Sequence, residues 1–178
     1  SELEEVRERL RKLIEDLKRL NEESLKENRE IIKALRELNE RSLRENKELI
    51  KRLEDSNLTS EDAKRLVKRV EDESRKSAKR NEDVVRESRE RSKRSAERNK
   101  RVVREVEERV KKLAEDIDEG DEARTIIEEI KRRVDELRKH IEESIKEVKK
   151  LNDEVEKHIR ESIKESEEDL KRLKDRID

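Results

Sequence analysis

Apolar residues recur at intervals of three or four along most of the chain, which is the spacing of one face of an α-helix. Examples are Leu10, Leu13, Ile14 and Leu17 near the start of the chain, and Ile126, Ile127, Ile130, Val134 and Leu137 further along. Each apolar stripe needs a partner surface that removes it from water. The pattern therefore predicts long amphipathic helices that pack together in a bundle.

The first interruption of this pattern lies between residues 55 and 62, in the segment DSNLTSED. Asn57 suits the left-handed position that ends a helix, and Thr59 suits the N-cap of the next helix with Asp62 as its capping-box partner. Leu58 and Ala63 have the spacing of a hydrophobic staple around that cap. A helix end followed by a helix start is the prediction for this segment.

The second interruption is Gly120, the only glycine, where one helix is expected to end and Asp121 to cap its successor. The predicted helices cover residues 2–55, 60–117 and 121–177, each about 80 Å long at 1.5 Å per residue. Short loops make neighbouring helices antiparallel. We predict an all-α, up-down-up antiparallel three-helix bundle that forms a single domain over residues 1–178.

The chain repeats with a period of eighteen residues rather than seven. The block Leu20–Glu37 is followed directly by a similar block, Leu38–Asp55, and His140 recurs as His158. Eighteen residues complete five helical turns, so each side chain returns to the same face. A strict heptad would impose a left-handed supercoil, and the longer period predicts nearly straight helices instead.

Polar residues occupy part of the stripe that a helix normally keeps apolar, and they recur with the same period. The predicted structural network residues are Asn21, Ser24, Asn28, Asn39, Ser42, Asn46, Ser74, Ser77, Asn81, Ser88, Ser92, Ser95, Asn99, His140, Ser144, Asn152, His158 and Ser162. Buried polar groups are tolerated only when their donors and acceptors are paired. We expect buried hydrogen-bond networks among Asn, Ser and neutral His side chains.

Matching the levels of antiparallel helices predicts which polar residues meet. Asn21, Ser24 and Asn28 are expected opposite Ser95, Ser92 and Ser88, and Asn39, Ser42 and Asn46 near Ser77, Ser74 and Val70. On the third helix, Ser144 and His140 are expected near Ser95 and Asn99, and Ser162 and His158 near Ser77 and Asn81. Polar residues thus face polar residues at each level.

One end of each predicted helix lacks the polar residues. Apolar side chains stand there instead, namely Leu3, Val6 and Leu10 on the first helix, Val106, Val110, Leu113 and Ile117 on the second, and Ile126 and Val134 on the third. An up-down-up topology brings these three segments to the same end of the bundle. This coincidence supports the topology independently of the caps.

Composition narrows the class of protein further. Charged residues make up 58% of the chain and apolar residues 28%, a balance that favours disorder, but the net charge is only −1 and most residues are strong helix formers. The absence of Cys excludes disulfides and thiolate metal sites. No apolar run approaches the roughly 18 residues of a membrane span. We expect a soluble protein with no membrane partner, and the sequence does not indicate a location.

The two histidines are the best candidates for chemistry. His140 and His158 lie on one predicted helix, roughly 27 Å apart, so they cannot share a metal ion. We interpret them as neutral network members and expect no metal or other cofactor, with a His–carboxylate site as a weaker alternative. A second alternative is a pH response, in which protonation disrupts a network and unfolding or dissociation begins near about pH 5–6.

The serines and the basic tract do not indicate an enzyme or a nucleic-acid-binding protein. No Ser has a His–Asp arrangement or a nucleophile elbow beside it. The segment RESRERSKRSAERNKR, residues 86–101, resembles a basic Arg/Ser tract, but the other helices supply an acidic complement and there are no aromatic residues for base stacking. We predict no enzymatic activity, no small-molecule substrate and no nucleic-acid partner.

The chain resembles the class of computationally designed helical bundles. The resemblance covers the whole chain, and it is carried by the paired blocks 20–37 and 38–55 and by idealised Glu/Lys/Arg surfaces. It is also carried by Leu3, Val6 and Leu10, which stand where the next repeats have Asn, Ser and Asn. It implies a scaffold, a specific oligomer or a switchable cage without natural activity.

The leading functional hypothesis is therefore a structural scaffold whose polar networks set helix register and pairing. Buried polar groups cost stability, and their best-attested use is to fix register and oligomeric state. One alternative is a homo-oligomer, because the stripe on the first helix, flanked by Leu20 and Leu25, is wider than the roughly 100° that a three-helix core needs. The other is a switchable or pH-responsive binding module in which a competitor displaces one helix.

Overall fold

In the computed structural model, residues 2–55, 60–116 and 120–177 are described, and they form three α-helices without any strand. These are α1 (Glu2–Asp55), α2 (Ser60–Asp116) and α3 (Asp121–Ile177). The predicted all-α architecture of three long helices is confirmed. Asn57, Leu58 and Thr59, on which the prediction of a capped first turn depends, lie outside the described residues, as does residue 117.

The start of α3 differs from the prediction. The backbone N–H of Arg124 donates to the carbonyl oxygen of Gly120 at 3.1 Å, so Gly120 accepts the first hydrogen bond of α3 and is its N-cap residue. Gly120 has no positive φ and does not adopt the left-handed conformation expected at a helix end. Asp121 instead lies in the first turn of α3 with Glu122, where a negative charge favours the positive end of the helix dipole.

The chain contacts divide into two compact units, and each unit contains a segment of every helix. The first unit comprises Ser1–Arg29 and Glu90–Lys149, and the second comprises Glu30–Arg89 and Lys150–Asp178. The single domain over residues 1–178 stays a prediction.

The first unit holds one continuous apolar core. It contains Leu10, Ile14 and Leu17 from α1, Val103, Val106 and Val110 from α2, and Ile126, Ile130, Val134, Leu137 and Ile141 from α3. Apolar ends of all three helices thus meet in one cluster, as the sequence predicts. The side chains of Leu3 and Ile117, which belong to the same predicted end, lie outside the described residues.

The second unit holds two smaller apolar clusters. Ile32, Leu35, Val85, Val155 and Ile159 form one, and Ile50, Val67, Val70, Leu170 and Leu173 form the other. Along α1, the polar residues Asn39, Ser42 and Asn46 lie between the segments that supply these clusters. A polar layer therefore alternates with apolar layers within this unit.

Ion pairs between helices also follow the eighteen-residue period. Arg29 Nε donates to Glu147 Oε1 at 3.1 Å in the first unit, and Lys47 Nζ donates to Glu165 Oε1 at 2.5 Å in the second. The hydrogen bond to Glu165 raises the pKa of Lys47. These side chains are about half exposed, and exposed pairs contribute little to stability, so the ion pairs support the packing without determining it.

Within the described ranges, none of the three helices has the combination of length and apolar composition that a membrane span requires.

Candidate functional site

Asn21 is the centre of the first polar contact set, and its side chain bonds to both other helices. Its Nδ2 donates to Ser144 Oγ on α3 at 2.9 Å, and its Oδ1 accepts from Asn99 Nδ2 on α2 at 3.3 Å. Ser144 Oγ in turn donates to the backbone carbonyl oxygen of His140 at 2.9 Å. Because Asn21 is buried, its amide depends on these partners rather than on water.

One turn further along α1, Ser24 and Asn28 bond to α2. The hydroxyls of Ser24 and Ser95 lie 3.0 Å apart, and Ser92 Oγ donates to Asn28 Oδ1 at 3.0 Å. Asn28 Nδ2 donates to the backbone carbonyl oxygen of Ser24 at 2.9 Å. We define the first polar module as Asn21, Ser24, Asn28, Ser92, Ser95, Asn99 and Ser144.

The second polar module consists of the residues that lie eighteen positions away: Asn39, Ser42, Asn46, Ser74, Ser77, Asn81 and Ser162. Its central contacts repeat those of the first. Asn39 Nδ2 donates to Ser162 Oγ at 2.9 Å, and Asn81 Nδ2 donates to Asn39 Oδ1 at 3.3 Å. Ser162 Oγ donates to the backbone carbonyl oxygen of His158 at 3.0 Å. Asn39 thus joins the three helices of the second unit as Asn21 does in the first.

The outer contacts of the second polar module are less complete. Asn46 Nδ2 donates to Ser74 Oγ at 3.0 Å, the only hydrogen bond of the Asn46 side chain within the described residues. Ser42 and Ser77 are the counterparts of the bonded pair Ser24 and Ser95, yet neither hydroxyl bonds to another described residue. The two modules therefore share a centre and differ at their edge.

A further buried pair joins α2 and α3 in the second unit. Ser88 Oγ donates to Asn152 Oδ1 at 3.1 Å, and both residues are buried. At the adjacent surface, Arg89 bonds to Asp153 at 2.7 Å and to Glu156. Burial alone would lower the pKa of Arg89, but these two carboxylates outweigh it and raise the pKa.

The polar residues of α1 and α2 pair about one turn away from the predicted level. Asn21 bonds to Asn99 rather than Ser95, and Ser24 bonds to Ser95 rather than Ser92. Asn28 likewise bonds to Ser92 rather than Ser88, and the second polar module is shifted in the same sense. Helical side chains point toward the N-terminus of their own helix, so antiparallel partners meet further toward the C-terminus than their backbone levels indicate.

The histidine side chains do not take the network role predicted for them. His140 and His158 contribute backbone carbonyl oxygens to the modules, while both Nε2 atoms are buried without a hydrogen-bond partner. The nearest carboxylate oxygens belong to Glu22, 3.9 Å from His140 Nε2, and Glu40, 3.7 Å from His158 Nε2. A Ser hydroxyl in a helix bonds readily to the backbone carbonyl four residues earlier. Ser144 and Ser162 therefore bond to the carbonyl oxygens of His140 and His158 rather than to their imidazole rings. The response to acid stays a prediction.

The described part of the chain has no group of three or more His, Cys, Asp or Glu residues arranged to hold a metal ion. The polar residues that are buried in this part of the chain are all Asn or Ser.

The edge of the second polar module borders a cavity of about 380 Å³ in the second unit. We call it the polar cavity, and its polar lining includes Ser42, Asn46, Ser74, Ser77, Asn81 and Ser166. Ser166 is buried and lies outside the set predicted from the sequence. The available signal was the repeat itself, because the residue eighteen positions earlier is Val148 and the exchange of Val for Ser breaks the pattern.

The comparisons with known proteins agree with this fold. A solved structure described as a computationally designed three helix bundle is similar to the chain with a TM-score of 0.55 and 21% identity, over 99% of this chain and 90% of that chain. At that identity the likeness establishes the fold. No protein-family model matches the chain, and no curated protein matches it. The chain is a three-helix bundle whose interior contains hydrogen-bonded Asn and Ser side chains.

Proposed function

We propose that the chain is a designed structural scaffold in which the two polar modules set the register and pairing of the helices. The observation that carries the proposal is the repetition of the central contacts. Asn21 and Asn39 each donate to a Ser on α3 at 2.9 Å and accept from an Asn on α2 at 3.3 Å. The similarity of the fold to a computationally designed bundle supports a designed origin.

The bonded carboxamides restrict the register of the helices. An apolar layer tolerates a shift of one turn, since one Leu or Val packs about as well as another. A carboxamide layer does not, because a shifted Asn21 would lose Ser144 and Asn99 together. A buried polar group without a partner costs about 1–3 kcal/mol. Two such layers therefore penalise alternative registers by several times the thermal energy while adding little net stability.

We also propose that the chain has no catalytic activity. A serine nucleophile needs a base within roughly 2.6–3.2 Å of its hydroxyl. Ser144 and Ser162 lie closest in sequence to the histidines, but their hydroxyls donate to the backbone oxygens of His140 and His158. The protons that a base would have to remove are thus already held by carbonyl groups.

Replacing a polar layer with the apolar layer from the start of α1 tests the scaffold role. The variant carries Asn21→Leu, Ser24→Val and Asn28→Leu, with Ser92→Ala, Ser95→Ala and Asn99→Ala to remove the polar groups on α2 left without partners. We expect an unchanged or higher melting temperature, together with mixed oligomers in native mass spectrometry or several sets of amide signals in NMR spectra.

The control variant replaces exposed residues of the same segment, Glu23→Ala and Lys26→Ala, and should keep one species. A network variant that remains monodisperse with a single set of signals would contradict the proposed role in register.

Self-association is a second candidate function, and exposed leucines on α1 favour it. In the second unit Leu38 and Leu49 are more than two-fifths exposed, and their spacing of eleven residues places them on the same face of α1. If copies associate through this face, Leu38→Glu with Leu49→Glu should lower the mass measured by light scattering. A wild-type mass equal to that of one chain would rule out this candidate.

A further inference from the structure

The polar cavity contains hydrogen-bonding groups that the protein itself does not use. The hydroxyls of Ser42, Ser77 and Ser166 bond to no other described residue, and Asn46 uses only its amide nitrogen. Asn81 donates to Asn39 through Nδ2, which leaves its Oδ1 as a further acceptor on the wall. None of these oxygen atoms is sealed from solvent without a partner, so a ligand that entered the polar cavity could bond to them.

Ser166 is one of the residues by which this site differs from the first repeat, and Leu170 in place of Asn152 is another. Only 8% of Ser166 is exposed, and it lines the polar cavity with an unpaired hydroxyl. Its counterpart in the repeat is Val148, which is 7% exposed. Exchange of Val for Ser at an equally buried position removes apolar volume and adds a donor and acceptor. The chain is thus more polar at this position of the second repeat than at the same position of the first.

We propose that the polar cavity binds a small, neutral, aliphatic molecule that carries two or more hydroxyl groups. Its volume of about 380 Å³ lies within the range of roughly 300–1,000 Å³ that is typical of ligand sites. At about 30 Å³ per water, it holds a ligand of roughly a dozen non-hydrogen atoms or fewer. The site goes beyond the scaffold role, which does not require any ligand.

The lining selects for hydroxyls on a hydrocarbon frame. A hydroxyl both donates and accepts, so it can bond to the Ser hydroxyls and to the side-chain oxygens of Asn46 and Asn81. Leu43, Ile163 and Leu170 supply apolar wall for the rest of the ligand. There is no aromatic residue in the chain on which a ring could stack.

Charge excludes ions from the interior of the site. The ionisable lining residues, Glu71, Arg75, Glu167, Lys171 and Lys174, are exposed or half-buried, and Lys174 bonds to Glu71 at 3.0 Å. The buried lining residues, Asn39, Asn81, Ser162, Ser166 and Leu170, are uncharged, so an ion held against them would lose hydration without a charged partner at that wall. We therefore expect neutral ligands to bind and their charged analogues to be rejected.

Side-chain amide signals of asparagine provide a direct test, because the first polar module serves as an internal control. The probe is cyclohexane-1,2-diol, added to the ¹⁵N-labelled full chain. The signals of Asn39, Asn46 and Asn81 should move in a saturable way, with a dissociation constant on the order of 1 mM. Those of Asn21 and Asn28 should not move. Cyclohexanecarboxylate, the charged probe, should move none of them.

Variants at Ser166 and at its counterpart Val148 complete the test. Ser166→Val should weaken binding at least tenfold, whereas the matched variant Val148→Ser should leave the affinity of the second module unchanged. If circular dichroism shows that Ser166→Val does not fold, Ser77→Ala replaces it and should weaken binding several-fold.

The proposal would be overturned if the asparagine side-chain amide signals of the second module did not move at diol concentrations up to about 50 mM, well above the expected dissociation constant. Equal movement of the signals of both modules, or undiminished binding by a folded Ser166→Val variant, would also overturn it. None of these results bears on the scaffold role, which is tested by helix register and oligomer mass.

Discussion

The hydrogen bond between Asn21 and Ser144 allows the energy of a polar layer to be measured twice in one molecule. A double-mutant cycle uses Asn21→Ala, Ser144→Ala and the combined variant. The matched cycle uses Asn39→Ala and Ser162→Ala in the second polar module. Both donor–acceptor distances are 2.9 Å, both asparagines are 4% exposed, and both serines are buried.

The expected magnitudes follow from the contacts that each change removes. Asn21→Ala breaks the bonds to Ser144 and Asn99, and a typical bond contributes a net 0.5–1.5 kcal/mol, so hydrogen bonding alone accounts for about 1–3 kcal/mol. Ser144→Ala removes the shared bond and the bond to the His140 carbonyl. The shared bond remains as the coupling energy, which should be about 0.5–1.5 kcal/mol. The matched cycle should agree to within about 0.5 kcal/mol.

Guanidinium unfolding followed by circular dichroism measures the free energies, provided that the variants keep the same denaturant slope. A changed slope would indicate altered compactness and would disqualify that variant from the cycle. Coupling energies near zero in both cycles would refute the reasoning, because they would mean that the buried bonds are exchanged for water at no cost. Strong coupling in one cycle alone would show that equal geometry does not give equal energy.

Three further predictions concern the core, an ion pair and the histidines. Leu35→Ala should lower the free energy of unfolding in guanidinium by about 2–5 kcal/mol, because the Leu35 side chain is only 3% exposed. Leu38→Ala should change it by less than about 0.5 kcal/mol, because Leu38 is 46% exposed. Equal effects of the two changes would contradict the assigned core. The hydrogen bond from Lys174 lowers the pKa of Glu71, so the pair adds stability above the ordinary carboxyl pKa and loses it as pH falls through the lowered value. Lys174→Met should therefore destabilise by less than about 1 kcal/mol at pH 7, and this difference should vanish in acid titrations; a difference that persisted in acid would refute the assignment. If protonation of the histidines disrupts the modules, helicity or mass should change on acidification and Gln at both positions should abolish the change, whereas a wild type with the same helicity and mass in acid would exclude this response.

The helices were predictable because their signals extend over many residues. Each apolar stripe runs for several turns, so a single exception such as Ser88 does not hide the period. The apolar end of the bundle was predictable for the same reason, since Leu10, Val106 and Ile126 belong to separate runs that the topology brings together. A pattern of this length indicates that the backbone is helical and shows which face of the helix is apolar. Side-chain rotamers change neither property.

Partner choice within the polar layers was less predictable because it depends on side-chain direction and rotamer. Level matching placed Asn21 opposite Ser95, but the tilt of helical side chains moves the contact to Asn99. The lack of a hydrogen bond at Nε2 of His140 and His158 had no sequence signal, since the nearby Ser hydroxyls bond to backbone carbonyl oxygens instead. The polar cavity had one sequence signal, the exchange of Val148 for Ser166 in the repeat, but a pattern of polar and apolar positions does not give a cavity volume.

The eighteen-residue block also defines a natural unit of length for the chain. Because a block comprises five whole turns, its removal from each helix shortens the helix by about 27 Å without rotating any face relative to the residues that follow. Asn21 and Asn39 accept and donate in the same way, so a chain that kept one block in place of two should keep the central contacts of the remaining module. Because of the repeat, the length of the helices could be altered while the pairing of the helices is kept.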